Sequence, residues 1–360
     1  MRRESPPSRA RSVLLAGYGA TLALVVAHPV GPRLFWTVIM PLVPAGIVLA
    51  GFHAWRRACP IAAVGALGAR LHRGRRRVPA RWRRLGLRAS FAVLLTCLAL
   101  RLVGTNGDPL ALGVFLGGLG LAAFALNLLF GGRSFCHHAC PVGVVERIYT
   151  DAAPAVARPE RAASGCAPCT GCAKGCADLD RERAYERGLA GADRRLVFYA
   201  FPGLVFAFYA YYALRAGTWE AYFDGRWTEA PMSAELLLGP GFAFAPSVPA
   251  LVAAPLTLLA GSALSALLFH GLERALARAV PDARRRRHRV LALASFAAFN
   301  TFYFFAGAPT LRLLPGASRV VAFAIPVIAT VVLLRRLDRG ARRAPEPAPR
   351  AERRRLPVLS

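Results

Sequence analysis

The chain has 360 residues, 47 of them Lys or Arg against 19 Asp or Glu, for a formal net charge of +28, and 55% of it is hydrophobic with a mean hydropathy of +0.40. A chain this apolar is not a disordered basic tail, and too little polar sequence remains to coat an ordinary soluble domain. Such a charge on such a chain points to a membrane protein whose basic residues are confined to its loops.

Eight apolar stretches reach or approach the roughly 17–25 residues that cross a bilayer core of about 30 Å. They run over 13–31, 35–54, 89–104, 110–130, 196–214, 249–271, 290–306 and 319–334. They predict an all-α integral membrane protein of about eight transmembrane helices. No small-residue cleavage site follows the first stretch, so it reads as a retained helix. Pro41, Pro44, Pro202 and Pro326 fall inside spans, which requires neighbouring helices to satisfy the freed carbonyls. The third stretch is short, and its Arg101 is expected to snorkel outward. Gly113, Gly117, Gly118 and Gly120 in the fourth should allow close helix packing. No Asp or Glu lies within any stretch, which counts against an ion-coupled transporter or proton pump.

Of the 47 basic residues, 41 lie in segments 1–12, 55–88, 131–195, 272–289 and 335–360. The positive-inside rule then places both termini and the three basic loops in the cytoplasm of a bacterial inner membrane. The domain plan is a cytoplasmic N-terminus over 1–12, helices one to four over 13–130 with an Arg-rich loop at 55–88, a loop domain at 131–195, helices five to eight over 196–334 and a disordered basic tail over 335–360. The runs Arg73–Arg77 and Arg284–Arg287 flank spans, where they anchor topology and attract anionic lipid, so nucleic-acid binding is not expected. Trp219, Tyr222, Phe223 and Trp227 in the outer connection read as an interfacial aromatic belt, the other reading being a partner or quinone surface.

The cysteines carry the chemistry. They are Cys59, Cys97, Cys136, Cys140, Cys166, Cys169, Cys172 and Cys176. Cys97 alone falls in a span and reads as a packed membrane residue. The other seven lie on the reducing side, which argues for metal or redox chemistry over disulfides. Trp55-Arg-Arg-Ala-Cys59-Pro60 follows the second span, and Phe135-Cys136-His-His-Ala-Cys140-Pro141 follows the fourth. Aligning Cys59 with Cys140 matches Ala58 with Ala139, Pro60 with Pro141 and Val64 with Val145, and sets Trp55 where Cys136 stands. This is the pattern of an internal repeat in which one copy has lost a ligand.

Cys166, Cys169, Cys172 and Cys176 are spaced C-x2-C-x2-C-x3-C, the ferredoxin run for a [4Fe–4S] cluster. Zinc sites space two C-x2-C pairs by a longer knuckle, and four cysteines in eleven residues fit a cluster better. In two-cluster ferredoxins the fourth cysteine of a run serves the other cluster. Cys140 with Cys166, Cys169 and Cys172 would make one cluster. Cys176, Cys136 and Cys59 would give three ligands to a second, with His137, His138, an acidic group or an exogenous ligand as the eighth. The alternative is one cluster on the four cysteines of the run. Paired histidines could ligate haem, but His28, His53 and His270 show no such pairing beyond the shared depth of the last two, and a haem is not expected.

These motifs resemble the membrane-bound polyferredoxin-like 4Fe-4S proteins of NapH, NosR C-terminal half and FixG/CcoG type. The matched residues are Trp55 to Pro60, Phe135 to Tyr149 and Cys166 to Cys176, and with their spans the resemblance covers roughly 35–215. It implies one-electron transfer at the cytoplasmic face, to or from quinones or a partner redox subunit. The chain has one ferredoxin run where close relatives commonly have two, and Ala177 stands where proline usually follows the fourth cysteine. Loop 131–195 is therefore expected to be a small ferredoxin-like iron–sulfur insertion with one or two [4Fe–4S] clusters. Lys174 and nearby arginines should favour the reduced state and an acidic partner. No nucleophile, general base or substrate pocket is legible, so no independent catalytic turnover is expected. The other function class is an iron–sulfur assembly factor or redox sensor for a respiratory metalloenzyme.

Overall fold

The computed structural model describes residues 8–72, 78–153 and 181–342. Cys166, Cys169, Cys172, Cys176 and Lys174, the run Arg73–Arg77, most of the loop domain and the tail from 343 lie outside the described residues.

Eight helices are long and apolar enough to cross a membrane: Arg9–Ala27, Gly31–Ala50, Ala80–Thr105, Pro109–Phe130, Ala192–Ala216, Ala250–Ala275, Ala283–Arg312 and Gly316–Gly340. The described residues contain no strand. The chain is an all-α, multi-pass membrane protein, as its hydropathy predicts. Most of the helices outrun their apolar stretches, because arginine is a good helix former and the backbone gains nothing by breaking at the bilayer surface. The third span starts at Ala80 and carries Arg81, Arg83, Arg84 and Arg88 in its first turns. The eighth stays helical past residue 334.

The same extension brings Glu273 into the sixth span, two residues beyond the apolar stretch. It is buried there, but its charge is matched. Tyr199 donates to it at 2.9 Å, and Arg287 and Arg195 lie at 3.3 and 3.6 Å.

The break at Pro41 is answered by neighbours. Pro41 has no N–H to give the Thr37 carbonyl, and the Thr310 hydroxyl of the seventh span donates to it. One turn on, the Tyr303 hydroxyl inserts into the ladder, accepting from the Ala45 N–H at 2.8 Å and donating to the Pro41 carbonyl at 2.6 Å. The helix widens to π geometry over Phe35–Ile39, just before this break. In the turn before Pro202, Ser265 donates to the Tyr199 carbonyl at 2.6 Å.

The fifth and sixth spans meet backbone to backbone. A Cβ on Gly203 would lie 2.0 Å from the Gly261 carbonyl oxygen. We expect Gly203→Ala to destabilise the protein by about 1–3 kcal/mol through overpacking, read as a lower Tm in detergent micelles. In the fourth span Gly113 lies against Val26 and Gly120 against Tyr18, whereas Gly117 and Gly118 face open space, so only two of the four serve close packing. Gly117→Ala should leave Tm unchanged.

Two expectations at the end opposite the cysteines are corrected. Arg101 does not snorkel but is buried, its guanidinium carbon 3.8 Å from the centre of the Trp36 ring, 4.6 Å from Phe208 and 5.3 Å from Trp227. Its Nε donates to Asn106, whose amide donates to Tyr212. π-Faces and an amide dipole replace the hydration a buried cation would otherwise lose. Tyr222 and Trp227 are likewise no belt: they are buried and stacked at 5.7 Å beside this cation. Of the four aromatics, Trp219 stays exposed, stacked on Phe305.

Candidate functional site

Gly51 ends the second span at φ 77°, ψ 173°, and Gly131 ends the fourth at φ 70°, ψ 176°. Positive φ is open to glycine without a Cβ clash, and here it turns the chain sharply along the membrane surface. A short helix follows each: Phe52–Ala58 and Ser134–His138. Each then reaches its cysteine in extended backbone, Cys59 at φ −72°, ψ 121° and Cys140 at φ −74°, ψ 120°. The following proline imposes that conformation and, having no N–H, opens the next helix at its first position. Those helices are Pro60–Leu71 and Pro141–Asp151. The agreement in backbone angles makes the internal repeat a structural one. The stretch read as the first part of an Arg-rich loop is thus largely helical.

The two copies cross over each other. Pro60–Leu71 packs on the fourth span, which precedes the other copy's cysteines, and Pro141–Asp151 packs on the second. Gly65 and Gly68 let the first contact close: a Cβ on Gly68 would lie 2.1 Å from the Phe124 carbonyl oxygen, and one on Gly65 would lie 2.5 Å from the Asn127 amide. Asn127 in turn accepts from the Phe135 N–H at 2.9 Å, fixing the turn that leads to Cys136.

This crossing gathers Cys59, Cys136 and Cys140. Cys136 and Cys140 are buried with Phe135 and Ala123 in a small cluster lined by Ile61 and Ala62 of the first copy. Burial pushes the Cys59 thiol up to about 12; the first-turn amides of Ala62 and Ile61 favour its thiolate, and Cys136 and Glu146 oppose it. Burial also drives Cys140 well above the usual thiol range, with Cys136, Cys59 and Glu146 adding to the effect and the Gly143 amide opposing it. A thiolate here therefore needs a cation in place of its proton. Gly143 keeps this floor open, since a Cβ on it would lie 2.7 Å from the Cys136 carbonyl oxygen and 3.3 Å from the Cys140 Cβ. Cys97 lies in the third span and does not join this group.

Among the described residues no three His, Cys, Asp or Glu side chains stand close enough to share a single metal ion. The cysteines of a cubane cluster ligate separate irons at its corners, so they stand farther apart than the ligands of one ion. The sulfurs of Cys59, Cys136 and Cys140, the last two on buried residues, with first-turn amides facing Cys59 and Cys140, fit a [4Fe–4S] cluster better than zinc.

His138 turns from the sulfurs to the third span. Its Nδ1 is buried against Gly86 without a hydrogen-bond partner, and burial with His137, Arg147 and Arg83 pulls its pKa down to about 4. His137 faces Arg147 at 3.4 Å. His53 packs on Phe52 and His270 on Tyr199, while His28 stands at the opposite end of the bundle.

Sequence reasoning missed the charges beneath the sulfurs. Arg56 and Glu146 form a 3.0 Å ion pair joining the two copies, with side chains only 2% and 4% exposed. Arg56 also lies over the Phe52 ring at 4.1 Å. The signal was Glu146-Arg147 set directly between the apolar Val144-Val145 and Ile148-Tyr149 of the helix Pro141–Asp151. Asp151 at the end of that helix pairs with Arg194 at 3.3 Å. In the helix Arg181–Leu189, Glu186 meets Arg284 at 2.8 Å and Tyr185 meets His288 at 2.9 Å. Asp151 and the helix Arg181–Leu189 are thus tied to the bundle at the cysteine-bearing end.

Residues 113–152 match the family model of a 4Fe-4S binding domain. The match takes in most of the fourth span, Cys136, Cys140 and the helix Pro141–Asp151, and ends before the run Cys166–Cys176. A 4Fe-4S binding domain thus lies within this membrane chain. No curated protein and no solved structure matches the chain.

Proposed function

We propose that this chain is a membrane-bound electron-transfer protein of the polyferredoxin-like, NapH type, seated in a bacterial inner membrane with both termini and all cysteines but Cys97 in the cytoplasm. The observation that carries the reading is the convergence of Cys59, Cys136 and Cys140 from two crossed copies of one Cys-Pro unit, the second of which matches a 4Fe-4S domain. Loop 131–195 is the functional domain. Cys140 would join Cys166, Cys169 and Cys172 on one [4Fe–4S] cluster. Cys59 and Cys136 would join Cys176 on a second, its remaining corner held by a ligand other than cysteine.

Bound there, a [4Fe–4S] cluster supplies one-electron chemistry. The protein's part is to hold and to tune. The crossed helices fix three sulfurs on rigid elements, and the surrounding apolar wall of Phe135, Ala123, Ile61 and Ala62 keeps water away. The ion pair of Arg56 and Glu146 places one charge of each sign beside them. Basic residues on this face suit an acidic redox partner, with quinone as the other candidate donor or acceptor.

The test is EPR of membranes holding the full chain, frozen after mixing with quinol, reduced ferredoxin or dithionite. We expect a reduced-cluster signal with dithionite and with at least one physiological donor. A cluster that dithionite reduces but no donor does would favour an assembly factor or sensor.

A further inference from the structure

At the cysteine-bearing end, away from the sulfurs, the fifth, sixth and seventh spans enclose a cavity of about 370 Å³ lined by Arg195, His270, Glu273, Arg274, Ala277 and Arg286. Its charge is one-sided. Three guanidinium groups face one carboxylate, and that carboxylate is already engaged by Tyr199, Arg195 and Arg287. Arg286 is held by the Val280 and Pro281 carbonyls, which both accept from its Nη1 at 2.8 and 3.2 Å. The Nε groups of Arg195 and Arg286 are buried and donate to nothing. An unmet buried donor costs about 1–3 kcal/mol, more when charged. Arg195, Arg274 and Arg286 line this one cavity from three separate spans and define a place for an anion.

We propose that this cavity binds a phosphate group, carried by an anionic phospholipid headgroup or by free phosphate. Arginine forks match phosphate oxygens in geometry as well as charge. The cavity has the size of a small-ligand site and lies where the spans leave the bilayer. Arg274 is exposed at its rim, and Leu264, Leu267 and Leu268 are exposed lower on the same helix, where acyl chains would run. The site is independent of the cysteines and of the electron-transfer reading.

The experiment is thermal unfolding of the full chain in phosphatidylcholine nanodiscs, titrated with phosphatidylglycerol in the disc or with inorganic phosphate in the buffer. We expect Tm to rise with saturation under one of the two. Arg195→Gln/Arg286→Gln should weaken the half-saturation point about thirtyfold, the worth of two basic side chains at the membrane surface. Because Arg195 also supports Glu273, Arg274→Gln is the second variant, expected to fold as the parent and to weaken binding about fivefold. A response to phosphatidylglycerol that millimolar phosphate does not displace assigns the lipid; displacement or a direct response to phosphate assigns the free ion. No response to either, or one unchanged in both variants, overturns the proposal.

Discussion

Glu146→Leu is expected to destabilise the protein by about 3–5 kcal/mol, because it takes from Arg56 a counter-charge at a site with almost no solvent. The pair joins the two copies of the Cys-Pro unit, so its failure is felt where they cross. Arg56→Met/Glu146→Leu should recover most of the loss, since two apolar side chains replace two buried charges and neither is left unmatched. Chemical denaturation of the purified protein in detergent measures both. The same variants separate stability from tuning. Glu146 acts on both Cys59 and Cys140, so its loss leaves net positive charge beside the sulfurs. The reduction potential should rise in Glu146→Leu and return toward the parent value in the double variant. Equal stability of the single variant and the parent would show that the pair does not join the copies.

Cys136→Ala is expected to cost the chain about four irons, one cluster's worth, and Cys140→Ala to cost about four from the other. Cys59→Ala should repeat the loss seen with Cys136→Ala, because the two are assigned to the same cluster. Cys97→Ala should cost none, since that residue sits in the third span apart from the group. Iron and acid-labile sulfide per chain measure all four. The informative case is Cys59. In sequence it stands alone, with Trp55 where a second ligand would be, and it reads as a decayed copy. In three dimensions the helix it leads lies on the fourth span, and its sulfur comes within electrostatic reach of Cys136 and Cys140.

That contrast shows what the sequence could and could not yield. The eight spans were legible because twenty consecutive apolar residues have few other uses, and the paired Cys-Pro units because proline dictates the backbone before it. What escaped depends on partners distant in the chain. Arg101 looked like a snorkelling cation because its cage of Trp36, Phe208 and Trp227 comes from three other segments. Glu273 seemed to lie outside the membrane because hydropathy ends where polarity begins, whereas the helix continues. The pair of Arg56 and Glu146 is separated by 90 residues and becomes visible only once the copies cross. Pro41 was recognised as a break in need of help, but that Thr310 and Tyr303 supply it could not be read from composition.

The central claim is that two sets of cysteines, one on the crossed Cys-Pro units and one on the run Cys166–Cys176, build iron–sulfur clusters together. Iron and acid-labile sulfide should be counted on the anaerobically purified full chain and on Cys59→Ala/Cys136→Ala/Cys140→Ala. About eight of each are expected per parent chain, with both clusters lost or degraded in the triple variant. A parent without iron, or with zinc in its place, would contradict it, as would about four irons that the triple variant keeps intact.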